Sequence, residues 1–162
     1  MERSATGTPL DSVSELPPFA AELLYQSRVA RLATADRTGQ PLVVPVCYVF
    51  DGRVCFSALD AKPKRLAPSR LRRVRNIAEN PRVSLTVDRY DEDWSQLCWV
   101  IVQGRADILT EGSERSGAVD LLLSKYAQYR VMGLDREGAT VIRISPERTL
   151  HWRWENPPQA GG

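Results

Sequence analysis

The sequence predicts an antiparallel β-sheet that closes into a barrel with flanking helices, and three observations support this fold class. Short runs in which apolar and polar residues alternate are typical of strands, and residues 28–36 are one example. Tight turns join successive runs, and Asp51-Gly52 is the strongest hairpin signal among them. The sequence lacks both a βαβ alternation and a GxGxxG motif, which excludes a doubly wound nucleotide-binding domain. The fold is therefore all-β or α+β.

The first half of the chain predicts one helix and three strands. Pro17-Pro18 favours a helix over residues 18–26, whose inward side chains are Phe19, Leu23 and Leu24. Strands are predicted over residues 28–36, 41–50 and 53–58. Pro45 interrupts the second strand, and because proline lacks a backbone donor, we expect it at a bulge or at a sheet edge.

The second half predicts two helices and three or four strands. Pro68-Ser69 begins a short helix over residues 70–78, in which Leu71, Val74 and Ala78 face inward. Strands over residues 83–88 and 97–109 follow, joined by a turn. A longer helix over residues 111–130 has as its inward side chains Val119, Leu122, Leu123 and Tyr126. The chain then forms a last strand or a last pair of strands, over residues 139–144 and 150–154.

The composition is that of one globular domain. Of the 162 residues 43% are apolar, and we assign the domain to residues 16–155, between mobile ends at 1–15 and 156–162. A net charge of +2 argues against a surface built as a whole for nucleic acid. No apolar run resembles a signal peptide or is long enough to cross a bilayer. Three scattered cysteines and a single histidine indicate reduced thiols, a cytoplasmic protein and no metal site.

Positive charge is concentrated in residues 56–82, where only Asp60 and Glu79 oppose it. The eight basic side chains of this window are Lys62, Lys64, Arg65, Arg70, Arg72, Arg73, Arg75 and Arg82. The charge begins in a loop after a strand and continues into a helix N-terminus, where backbone N–H groups also attract anions. A helix with solvated arginines is the alternative interpretation. Nucleic acid is disfavoured because no second helix or aromatic platform lies nearby, so we expect the phosphate of a small molecule.

Three runs of this sequence resemble the pyridoxamine-phosphate-oxidase-like split-barrel superfamily: RVARLATADRTGQPLVVPVCYVFDG, FSALDAKPKRLAPSRLRRVRNIAENPRVSLTVD and DEDWSQLCWVIVQGRADIL. Within that superfamily the chain is most similar to the flavin/deazaflavin oxidoreductases of actinobacteria, which use the deazaflavin coenzyme F-420. The likeness covers residues 19–154. It implies an antiparallel split β-barrel of the FMN-binding type, and a homodimer whose cofactor lies in a groove between the two barrels.

The resemblance also implies which strands contact the cofactor. The strand whose backbone approaches the ring system is matched by Val44, Pro45 and Val46. The strand that lies along the ribityl chain is matched by Phe56, Ser57 and Ala58, with Ser57 as a hydrogen-bond donor.

The phosphate end of the cofactor has its own match. The resemblance equates Arg73, Arg75 and Asn76 with the (K/R)-x-R-N of the phosphate-binding helix start. Arginine at the first position can do the work of the more usual lysine, with a bidentate fork. Trp94 matches an aromatic residue at a hairpin near the groove.

One loop departs from many relatives, because it is longer and carries Lys62, Lys64 and Arg65. FMN ends in a single phosphate, whereas F-420 continues through a phosphodiester into several glutamate carboxylates. Matching of charge therefore favours F-420 as the cofactor, with FMN as the alternative.

The chemistry that the resemblance implies is hydride transfer between the cofactor and an unsaturated small molecule, so no catalytic side chain is assigned. Strand alternation places His151 and Arg153 on one face, and Trp152 and Trp154 on the other. Two alternatives stay open, an FMN-dependent oxidoreductase and a non-catalytic protein that binds the cofactor or a tetrapyrrole. No nucleic-acid or membrane partner is expected.

Overall fold

A computed structural model describes residues 8–9, 16–59 and 68–155 of the chain. Its strands are β1 (Thr8–Pro9), β2 (Ala30–Ala35), β3 (Pro41–Val46), β4 (Val49–Phe50), β5 (Cys55–Ala58), β6 (Arg82–Arg89), β7 (Cys98–Leu109) and β8 (Val141–Arg153). Its α-helices are α1 (Pro18–Gln26), α2 (Arg72–Glu79), α3 (Ser113–Lys125) and α4 (Ala127–Val131). None of these described helices combines the length and apolar character that crossing a membrane requires.

The strands form one antiparallel sheet in the order β3-β2-β6-β7-β8-β5-β4, with β1 alongside β8. Strand β8 pairs with β7 over its whole length and with β5 over its first residues. It therefore joins the two halves of the sheet. The predicted antiparallel sheet with flanking helices is confirmed.

Apolar residues are buried on both sides of the sheet. On one side, alternate residues of β7, such as Val100 and Val102, share a core with α1 and α2. On the other side, α3 covers β5, and Val119 and Leu122 pack there with Phe56. Strand β5 is consequently buried on both faces.

Several predicted elements are confirmed and others are refined. Helix α1 has the predicted bounds, and Pro45 lies on β3, an edge strand of the sheet described. The predicted strand over residues 41–50 is instead two strands, with residues 47 and 48 between them. The two last strand segments form the single strand β8.

The inward face predicted for the second helix was partly wrong. The helix begins at Arg72, after a 3₁₀ turn over Pro68–Arg70. Val74 is buried as predicted, but Ala78 is exposed and Ile77 takes its place in the core. The reason is that Ile77 follows Val74 by three residues, close to one helical turn, so the two share the face that meets the sheet.

The predicted long helix divides at Tyr126, whose backbone is extended at φ −122° and ψ 101°. Its hydroxyl accepts a hydrogen bond from the Tyr48 N–H at 3.0 Å and lies 2.6 Å from the Tyr48 carbonyl oxygen. These contacts tie the break between α3 and α4 to the segment that follows β3.

A β-bulge lies where β7 meets β8. The register shifts between Gln103, which pairs with Arg148, and Gly104, which pairs with Pro146, so Glu147 is the extra residue of the bulge. The two backbones approach so closely that a Cβ atom on Gly104 would lie 2.0 Å from the Ser145 carbonyl oxygen. Glycine is therefore required at this position.

We expect Gly104→Ala to lower the free energy of unfolding by about 1–3 kcal/mol, because a backbone must move to admit the methyl group. Gly117→Ala is the matched control, since Gly117 lies within α3 and has no atom within 4 Å of the added Cβ. Alanine should stabilise the helix there by roughly 1 kcal/mol. Urea unfolding curves measure both changes, and equal stability of Gly104→Ala and the wild type would contradict the close approach.

Candidate cofactor-binding site

Helix α2 is fixed to the end of β2 by a short polar network. The Asn76 amide, in a residue that is 1% exposed, donates to the Thr34 hydroxyl at 2.9 Å. Arg72 donates to the Asn76 side-chain oxygen at 3.2 Å and to the Asp36 carboxylate at 2.8 Å. The Thr38 hydroxyl, more than Arg72, holds the pKa of Asp36 below its ordinary value. Asn76 and Arg72 thus anchor the start of the helix.

Arg73 differs from these anchors because its guanidinium has no partner among the described residues. Its Nε is buried without a hydrogen bond, and the side chain forms no ion pair with any described residue. Arg75, on the same helix, is exposed and equally free of ion pairs within the described ranges. No side chain caps α2 at Leu71, and the first turn contains no acidic residue. A buried donor without a partner costs about 1–3 kcal/mol, and a bound anion would remove that cost.

Strand β5 places its predicted site residues inside the fold. The Ser57 hydroxyl, in a residue 2% exposed, donates to the Cys47 carbonyl oxygen at 2.8 Å. Phe56 and Ala58 pack beneath α3. In this chain alone the three residues are engaged internally, and their contact with a ribityl chain stays a prediction.

Strand β3 presents a different surface. Val46 is buried and Val44 packs against the core, whereas Pro45 and its neighbour Val43 are exposed. Within the described sheet β3 pairs only with β2, so its other backbone edge is open. An open backbone edge is what the predicted contact with a ring system needs.

Trp94 lies at the far end of the barrel from α2. It is 59% exposed in a 3₁₀ turn over Trp94–Gln96, which Asp93 caps by accepting from the Ser95 N–H. Helix α2 precedes the first residue of β6, whereas the Trp94 turn comes after the last residue of that strand. The intervening strand measures roughly 26 Å. Arg72, next to Arg73, contacts Asp36 just past the end of β2 that pairs with the start of β6, so one subunit does not bring Trp94 and Arg73 together.

Three predicted residues, Lys62, Lys64 and Arg65, lie outside the described residues. The C-terminal strand keeps the predicted alternation, since both His151 and Arg153 contact the Phe19 ring. That pair therefore packs on α1, while Trp152 pairs with Trp99 on the opposite face.

Sequence reasoning missed a groove on the outer face of the sheet. It has a volume of about 490 Å³, and its lining includes Ala33, Ala35, Arg82, Ser84, Gln103 and Arg148. The sequence indicates Arg82 only as part of the basic window. Arg148 becomes its neighbour through the pairing of β6, β7 and β8. No local pattern in the sequence signals that pairing.

A cluster of titratable groups beneath α3 is structural. The Lys125 ammonium donates to the Ser27 carbonyl oxygen at 2.7 Å and lies 4.6 Å from the centre of the Tyr48 ring. Burial, and then the nearby Arg28, lowers the pKa of Lys125 to about 8. Burial also raises the pKa of the Tyr126 hydroxyl to about 12. These groups contact one another and backbone carbonyls, so they hold α3 against the segment before β2.

The lowered pKa of Lys125 predicts a pH effect on stability. An unfolded lysine titrates near pH ~10.4, so between about pH 8 and pH ~10 the unfolded state binds more protons than the folded state. The wild type should gain stability with rising pH over this window relative to Lys125→Met, which cannot titrate. Thermal unfolding of both proteins across the window is the measurement, and parallel profiles would contradict the assignment.

Asn76→Ala should lower the free energy of unfolding by about 1–3 kcal/mol, because it removes the partner of a buried hydroxyl. The loss should be smaller when Thr34 is already valine. A double-mutant cycle of the two substitutions, followed by urea unfolding, measures this coupling. An identical loss in both backgrounds would mean that the bond does not anchor α2.

The sequence profile of the pyridoxamine 5'-phosphate oxidase family matches residues 16–153. A comparison with curated proteins gives no match. Among solved structures, a conserved hypothetical protein from Mycobacterium tuberculosis has a TM-score of 0.68 and 20% identity, with 100% of this chain and 98% of that one covered.

Two further structures carry names that indicate a cofactor. An F-420 reductase has a TM-score of 0.60 and 22% identity, with 83% of this chain and 98% of that one covered. A FAD-binding protein from Mesorhizobium loti has a TM-score of 0.59 and 24% identity, with coverages of 81% and 87%. At these identities the likeness shows the fold. Because the family profile spans nearly the whole described domain, the chain belongs to the pyridoxamine 5'-phosphate oxidase family, whose split barrel its sheet forms.

Proposed function

We propose that the protein is an oxidoreductase that binds coenzyme F-420 and exchanges hydride between it and an unsaturated small molecule. The Arg73 guanidinium at the start of α2 carries this proposal, because its buried Nε has no partner among the described residues and a phosphate there would satisfy that donor. Family membership supports a phosphate-bearing redox cofactor, and the F-420 reductase and FAD-binding fold neighbours support a deazaflavin or flavin. We assign the activity to the cytoplasm, since all three cysteines are free thiols.

The residues present fit such a cofactor. Arg73 and Arg75 supply positive charge for which no described carboxylate competes. The open edge of β3 offers backbone groups to a ring, and the basic sequence that contains Lys62, Lys64 and Arg65 suits an acidic tail. When bound, the cofactor supplies or accepts the hydride. The protein holds and orients it and keeps water away from the ring.

A second copy of the chain is the proposed partner, because one part of the outer face of the sheet is an apolar patch. Trp99 and Trp152 pair directly across β7 and β8, and Ile101 pairs with Leu150 in the next position of that face. All four side chains are only partly buried in the single chain. Aromatic residues that are clustered but not covered are typical of the core of an interface. A homodimer through this face would also bring the Trp94 turn of one subunit toward the partner.

FMN is the second candidate cofactor, and the FAD-binding fold neighbour favours it. Both ligands place a phosphate at Arg73, so this side chain alone does not discriminate between them. The basic loop favours F-420, because only that cofactor continues beyond the phosphate into carboxylates.

We expect Arg73→Ala to weaken cofactor binding by about tenfold or more, since a hydrogen bond to a charged group contributes roughly 1.5–3 kcal/mol. Arg53→Ala is the matched control, because Arg53 is exposed in the Asp51-Gly52 turn and forms no ion pair within the described ranges. Fluorescence titrations of the wild type and both variants, run in parallel with F-420 and with FMN, provide the measurement.

Each outcome of the titrations has a definite meaning. Tighter binding of F-420 than of FMN, lost in Arg73→Ala only, supports the proposal. A preference for FMN would move the protein to the flavin candidate. Wild-type affinity in Arg73→Ala would remove the helix start as the phosphate site, and binding of neither ligand would overturn the proposed function.

A further inference from the structure

The outer-face groove contains more positive charge than its surroundings balance. Arg82 at the start of β6 lies directly across from Arg105 on β7, and Arg148 on β8 pairs with Gln103, two residues before Arg105 on the same face. None of these three arginines forms an ion pair with a described residue. Like charges directly opposite each other destabilise a sheet.

The carboxylates near these arginines do not balance their charge, because one of them contacts another arginine and the other is a single negative charge. Asp107 shares the face of Arg105 but lies 3.5 Å from Arg143, which also donates to Glu114 at 2.7 Å. Glu147 lines the groove beside Arg148 and is one negative charge against two lining arginines, Arg82 and Arg148, with Arg105 next to them on the sheet. The arrangement therefore retains a net positive charge that an external anion can balance.

The bulge lies beside the groove. Arg148 pairs with Gln103 on the groove face, and Glu147, the extra residue of the bulge, lines the groove next to it. The extra residue of a bulge re-aims the side chains next to it, and bulges recur beside binding sites for this reason. Gly104 permits the bulge, because any larger residue would meet the β8 backbone. The groove is thus built by the backbone and not by flexible surface side chains alone.

We propose that this groove is an anion site, in which Arg82 and Arg148 bind the carboxylate of a small-molecule ligand. Guanidinium groups bind carboxylates in a bidentate manner, and the apolar wall of Ala33 and Ala35 suits the carbon chain that bears the acid. The groove lies on the sheet face opposite α2, because Ala33, Ser84 and Gln103 alternate with buried residues that share the core of that helix. It stands on these contacts and does not depend on the proposed cofactor. The acid belongs either to the tail of F-420 or to a separate substrate.

The test titrates γ-glutamylglutamate, a dipeptide with several carboxylates, into the full chain by calorimetry at low ionic strength. Arg82→Gln and Arg148→Gln should each weaken its binding by about tenfold, whereas Arg53→Gln should leave it unchanged. Thermal melts give a second readout, because the dipeptide should raise the melting temperature of the wild type and not of the two variants. Since no flavin or deazaflavin is present, failure of the proposed function would not affect this result.

A further arm distinguishes the two sources of the acid. If Arg82→Gln weakens F-420 but not FMN, the tail occupies the groove; unchanged F-420 affinity assigns it to a separate acidic substrate. Two results would overturn the proposal. One is equal dipeptide affinity in the wild type and both arginine variants. The other is no dipeptide binding together with a loss of dimer mass in Arg82→Gln by light scattering, which would mean that the arginines pair with a second copy.

Discussion

The pairing of β7 with β8 is the constraint on which the rest of the structure depends. These two long strands connect the β3-β2-β6 half of the sheet to the β5-β4 half, and both cores form against them. Their register shifts between Gln103 and Gly104, where the two backbones approach closely. The shift lies beside the outer groove, while Val100 and Val102 stay buried on the opposite face. The core and the groove therefore lie on the two faces of the same strand pair.

Two arginines illustrate how charge without a partner can indicate a ligand. Arg115 is 5% exposed, and its guanidinium donates to the carbonyl oxygens of Arg136 and Ala139, so it serves to hold the turn before β8 against α3. Arg73 has no comparable contact within the described residues, although its Nε is also buried. The anchoring of α2 by Asn76 and Arg72 keeps Arg73 in place. A cation that the fold holds in place, with no counter-charge among the described residues, is more informative about binding than a cation on a flexible surface segment.

Local chemistry allowed much of the fold to be predicted from the sequence. The Asp51-Gly52 turn, the start of α1 at Pro18 and the edge position of Pro45 each depend on residues adjacent in the chain. The break at Tyr126 could not be predicted, since it depends on a hydroxyl that meets Tyr48 far away in the sequence. The exchange of Ala78 for Ile77 in the core depended on where α2 begins, which its packing on the sheet determines.

The candidate site was harder to predict from the sequence than the fold, because it also depends on contacts between residues that are distant in the chain. Arg73 and Asn76 were named from a motif, but only the structure separates their roles, because Asn76 bonds to Thr34 and Arg73 to no described residue. Trp94 was assigned to the same site as Arg73, yet the length of β6 keeps them apart within one chain. In the proposed homodimer, the partner subunit would allow both residues to contact one ligand. The motif would then describe a site of the assembly, of which the single chain contains the parts.

The apolar patch and the arginine groove lie on the same face of the sheet, so covering one would change the surroundings of the other. Covering the Trp99–Trp152 pair with a second subunit would remove water from the same face on which Arg82 and Arg148 lie. Interactions between charges strengthen as water is excluded, so the groove would bind an anion more tightly in a dimer than in a single chain. Without that anion, the free-energy cost of burying the unbalanced arginines would also rise. Association of two chains and binding of an acidic ligand should therefore favour each other.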